Sequence, residues 1–66
     1  MFNDLFEKYY NQIINKEKNA DIYKLFLNDM SEEYLNTTSP ARKVIDYIAG
    51  MTDTFFIKQY KKYFNV

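Results

Sequence analysis

Apolar residues recur along this chain at intervals of three and four. Phe2, Leu5, Phe6, Tyr9, Tyr10, Ile13 and Ile14 fall on one face of an amphipathic helix, predicted over residues 2–17. Asp4 and Glu7 sit in its first turn and Lys16 and Lys18 near its last, the polarity that the helix dipole favours. Ile22, Tyr23, Phe26, Leu27, Met30 and Tyr34 keep the same spacing, which predicts a second helix over 20–35 with Asn19 as its N-cap. Asp29-Met30-Ser31-Glu32 is a point where that helix can break and be recapped, making 31–36 a separate short turn. The strongest loop signal is Asn36-Thr37-Thr38-Ser39-Pro40, because proline cannot donate its amide and pushes the preceding residue out of the helical region. Ser39 as N-cap and Pro40 at the first helical position then start a third helix. Val44, Ile45, Ile48, Phe55, Phe56, Tyr60, Tyr63 and Phe64 carry the pattern over 41–64. Glycine inside a helix costs up to about 1 kcal/mol relative to alanine. One long helix that can kink at Gly50 is therefore favoured over two joined there, with Thr52 or Asp53 placed to cap a new segment. No strand-like alternation occurs, so the expected fold class is all-α, a small bundle of three to four helices whose last helix is long.

Sixty-six residues make a single module, and a chain this short buries only about 60% of the surface its unfolded form exposes. With 47% hydrophobic and 20% aromatic residues, the chain is too apolar for a disordered tail. Its rings must be covered by one another or by a larger partner, and in isolation an uncovered aromatic face predicts self-association into a homo-oligomer. Net charge is zero, but unevenly distributed. Residues 1–36 carry four Lys against seven Asp and Glu, giving −3, and 37–66 carry five Lys and Arg against two Asp, giving +3. Acidic helices pairing with a basic one is the favoured explanation. The lesser one is a basic patch of Lys58, Lys61 and Lys62 for triphosphate or nucleic acid, because lysines near a helix end are also what the dipole favours. Cysteine and histidine are both absent, which removes disulfides, thiolate metal sites, the commonest general base and the commonest transition-metal ligand. No apolar run approaches a membrane span and no signal peptide is recognisable, so a soluble, cytoplasmic protein without membrane contact is expected.

Residues 46–53 stand out. Asp46-Tyr47-Ile48-Ala49-Gly50-Met51-Thr52-Asp53 sets two carboxylates and the only glycine into an otherwise apolar helical pattern. On a straight helix seven residues separate two side chains by roughly 10 Å, wider than the 5 to 9.5 Å or so of paired-carboxylate glycosidases. Two aspartates alone also bind a divalent cation weakly. Orientation through hydrogen bonds is the better role, with Arg42 one turn before Asp46 as its partner. Arg42 is the single arginine beside eight lysines. Its planar fork suits carboxylate or phosphate, although an ordinary surface pair with Asp46 explains it equally well. Ala49-Gly50 thins the side-chain cover and favours close approach of another element. Tyr47 is read as a core or interface ring with a hydrogen-bonded tip, ahead of stacking on a base.

This octapeptide, with Arg42 before it and Phe55 and Tyr60 after, resembles the C-terminal region of bacterial deoxynucleoside triphosphate triphosphohydrolases, the dGTPase-like enzymes of the HD superfamily. Leu5-Phe6 followed by Tyr9-Tyr10 is similar to the helix preceding the motif in those enzymes. The resemblance implies a parent enzyme whose N-terminal HD domain binds a divalent metal through histidines and aspartates and splits a dNTP into deoxynucleoside and triphosphate. The present chain would be a C-terminal helical fragment packing on that catalytic domain. It implies Arg42, Asp46, Tyr47, Gly50, Thr52 and Asp53 as nucleotide-contact or domain-contact candidates. An arginine often follows the second aspartate in these enzymes, and Thr54 stands there instead. No metal ligand and no catalytic residue carries over, so the expectation is an accessory module that is not catalytic alone and holds no cofactor itself. The competing expectation, from a different class, is an autonomous helical protein-interaction module.

Overall fold

A computed structural model describes residues 2–64. Among them are five α-helices and one turn of 3-10 helix: α1 (Phe2–Ile14), α2 (Asp21–Leu25), the 3-10 turn (Leu27–Asp29), α3 (Glu32–Thr37), α4 (Pro40–Ala49) and α5 (Asp53–Phe64). No strand occurs among the described residues, so the all-α class expected from periodicity holds. Helices are more numerous and shorter than the spacing predicted, and each extra break has a local cause.

The first helix ends at Ile14, three residues before the predicted end. Lys16 adopts a positive φ of 54°. Its N–H donates to Ile13 O at 3.1 Å, and that of Glu17 reaches back to Gln12 O at 2.9 Å. This doubly bonded closure normally has glycine at the position Lys16 occupies. Ala20 N–H then bonds Glu17 O at 2.9 Å, and the tight turn delays the next helix by one residue. Ala20 takes the N-cap place predicted for Asn19, without a side-chain cap.

The predicted helix over 20–35 is divided in three. Ile22 is fully buried and Leu27 nearly so, yet five residues apart on a straight helix two side chains point about 140° away from each other. A break at Phe26 (φ −136°, ψ −66°) and the 3-10 turn bring Leu27 back toward the core. Ser31 recaps the chain, accepting from the N–H of Tyr34 at 3.2 Å, as the Asp29–Glu32 signal allowed. Ser39 caps α4 in the same way through the N–H of Arg42, with Pro40 at the first helical position.

The long final helix predicted over 41–64 is two helices, α4 and α5. Tyr47 and Tyr63 both lie against the ring of Tyr9, with centroids 5.0 and 5.8 Å away. On a continuous helix sixteen residues would separate them by about 24 Å. The chain must therefore fold back between them, and it does so at Gly50–Thr52. The N–H groups of Gly50 and Met51 close α4 onto Tyr47 O and Ile48 O. Thr52 Oγ1 accepts from Phe55 N–H at 3.1 Å to start α5.

The core consists of Leu5, Tyr9 and Ile13 from α1, Ile22 from α2, Leu27 from the 3-10 turn, and Val44, Tyr47 and Ile48 from α4. Helix α1 lies principally along α4. The seven-residue apolar face of α1 is only partly buried, since Phe2 and Ile14 are about half exposed and Phe6 and Tyr10 half-buried. No helix among the described residues is long and apolar enough to cross a membrane.

Candidate functional site

The fold-back at Gly50–Thr52 opens a surface groove of about 460 Å³, lined by Leu25, Phe26, Asp46, Tyr47, Gly50, Met51, Thr52 and Phe55. Its walls come from the end of α2 and the first turn of α5, and its floor from the end of α4. Phe26 and Tyr47 meet at 5.4 Å between ring centroids. Four of the six sequence-predicted candidates, Asp46, Tyr47, Gly50 and Thr52, line this one groove.

Asp46 is held on both oxygens. Arg42 Nε forms an ion pair with Oδ1 at 3.0 Å, and the hydroxyl of Tyr34 donates to Oδ2 at 2.7 Å. The arginine is two-thirds exposed, which puts the pair in the range of surface ion pairs, at most about 1 kcal/mol. Burial, and then the bond to Asp46, pushes the Tyr34 hydroxyl up to about 12. Tyr34 lies twelve residues from Asp46, outside the helical i,i+4 spacing that revealed Arg42.

Tyr47 presents its ring to the groove. Its hydroxyl is buried and without a hydrogen-bond partner among the described residues, and burial pushes it up to about 12, with the charge of Asp21 adding to the effect. The hydrogen-bonded tip expected from sequence is thus not found there. Gly50 has φ −85° and ψ −3°, a conformation open to any residue. A methyl group there would meet only the carbonyl oxygens of Tyr47 and Asp46, at 3.7 and 3.8 Å. Ala49 and Gly50 are exposed, so among the described residues no element makes the close approach expected at this notch. Asp53 lies outside the groove, exposed in the first turn of α5.

Residues 1–62 match the family model of the phosphohydrolase-associated domain. The chain belongs to this family. Its members are associated regions of HD-type phosphohydrolases, the coarser part of the resemblance borne by the octapeptide. No curated protein and no solved structure gives a significant match.

Among the described residues of this phosphohydrolase-associated domain, no three His, Cys, Asp or Glu side chains converge as a metal site. Among the described residues, then, the divalent cation of an HD enzyme has no fitting ligand set. Of the three lysines of the basic patch, one is paired within the chain. Lys62 Nζ donates to Asp21 Oδ2 at 2.6 Å, linking the basic C-terminal half to the acidic N-terminal half. Lys58 and Lys61 are exposed.

Lys62 belongs to a polar chain that sequence reasoning missed. The hydroxyl of the fully buried Tyr9 donates to Gln59 Oε1 at 2.6 Å. Gln59 Nε2 in turn donates to Asp21 Oδ2 at 3.2 Å. The chain ties α1, α5 and α2 together through the only buried side chain of α5. Burial opposes charge on Asp21, but the bonds from Lys62 and Gln59 outweigh it and hold the carboxyl below its usual range. Burial also drives the Tyr9 hydroxyl far above the ordinary tyrosine value. The one sequence signal for this network is the placement of Gln59 and Asp21 among aromatic positions, which periodicity treats as polar surface.

Proposed function

We propose that this chain is the C-terminal accessory helical region of a deoxynucleoside triphosphate triphosphohydrolase of the dGTP type. In this reading it packs on the catalytic HD domain or at a subunit interface of a homo-oligomer, and it has no catalytic power of its own. The observation that carries the reading is the motif groove. In a chain of the phosphohydrolase-associated family, four of the six residues that resemble the dGTPase-like motif line a concave, largely apolar surface, and of these Gly50 and Thr52 are exposed while Tyr47 also serves the core. Phe26, Met51 and Phe55 supply the apolar contact that docking of a neighbouring domain needs, and Arg42 with Asp46 forms a polar rim. The divalent metal and the histidines that hold it belong, in this reading, to the partner domain.

Triphosphate release is the test. The purified chain with Mg²⁺ or Mn²⁺ releases none from any of the four dNTPs, whereas an HD catalytic domain supplied in trans binds it and turns over dGTP faster in its presence. Turnover by the pure chain, or absence of any association with HD domains, overturns the proposal. A second reading, an autonomous interaction module, is favoured by one observation: the core closes over Tyr9 with side chains of this chain alone. It predicts capture of a partner without any HD domain or dNTP.

A further inference from the structure

No further inference is drawn: the strongest candidate outside the motif groove, the lysine-rimmed cavity between the end of α1 and the start of α2, carries nothing, because Asp21 already binds Lys62, Glu17 offsets one of the two remaining lysine charges at its wall, and the unpaired carbonyl of Gln12 is shut off from solvent.

Discussion

Replacing Gln59 by leucine tests whether the polar chain through Tyr9 fastens α5 to the bundle. Leucine keeps the volume of the glutamine side chain but leaves the Tyr9 hydroxyl, now 2.6 Å from Gln59 Oε1, buried without an acceptor. An unsatisfied buried hydroxyl costs about 1–3 kcal/mol. Asp21 also loses one of its two donors while keeping Lys62. About 2 kcal/mol is expected for Gln59→Leu, which for a domain of this size lowers Tm by roughly 8–16 °C. Tyr9→Phe removes the donor and leaves the amide able to reach Asp21, so it costs about 1 kcal/mol. The double variant is the decisive member of the cycle. With both partners apolar no group is stranded, and its loss falls short of the sum of the single losses by about 1 kcal/mol or more. Thermal and urea unfolding followed by circular dichroism measure all four proteins. Strict additivity, or a Gln59→Leu protein as stable as the parent, would refute the network.

Lys16 holds a left-handed backbone at φ 54°, a conformation that costs a non-glycine residue about 1–2 kcal/mol. Lys16→Gly should therefore raise stability by up to about 1 kcal/mol after the greater chain entropy of glycine is subtracted, read as a higher urea midpoint at unchanged m, and a lowered midpoint contradicts the αL assignment. Stability should also fall at both ends of the pH scale. Tyr34 and Tyr47 titrate near 12 in the fold against 10.0 in the open chain, so their contribution is intact below pH 10 and is lost as pH rises from there toward 12. Asp21 titrates below its ordinary 3.8, so its contribution is present above about pH 4 and is lost as pH falls through the folded value. Denaturant titrations across pH, with tyrosinate absorbance compared between the parent and the Tyr34→Phe and Tyr47→Phe variants at the alkaline end, check both limbs; Tyr34 and Tyr47 ionising near 10 in the folded protein would sink the alkaline one.

Helix starts were legible because they are local. Ser31 and Ser39 cap through their own side chains, and Pro40 announces α4, all within four residues. Breaks were less legible because tertiary packing sets them. Nothing in the spacing of Ile22 and Leu27 says that both must face inward, and nothing in 41–64 says that Tyr47 and Tyr63 will share a neighbour. The octapeptide was visible as a candidate because its residue types depart from the helical pattern around it. Its walls were less so, since Phe26 reads as an ordinary apolar position, and Leu25 as one outside the three-and-four pattern, until the fold-back sets them beside Asp46 and Tyr47. Tyr9 shows the same limit. Seven apolar residues share its face of α1, and periodicity cannot choose which ring becomes the centre.

Gly50 is where the fold and the proposed function make separable demands. The backbone there needs no glycine, because φ is −85° and an added Cβ would make only ordinary contacts with two carbonyl oxygens. Internal energetics alone thus favour alanine, by a few tenths to about 1 kcal/mol. The glycine also bares backbone at the groove, at a position no other element among the described residues covers, and a docking domain benefits from that closeness. Gly50→Ala should accordingly leave the urea midpoint unchanged or raised while weakening association with an HD catalytic domain, by several-fold for one intruding methyl at a packed interface. Folding stability from urea and affinity from sedimentation or calorimetry, measured on the same protein, separate the two demands. A destabilised variant would show that the local backbone account is wrong. A stable variant that binds as tightly as the parent would remove Gly50 from the docking face and leave the groove without the close contact proposed for it.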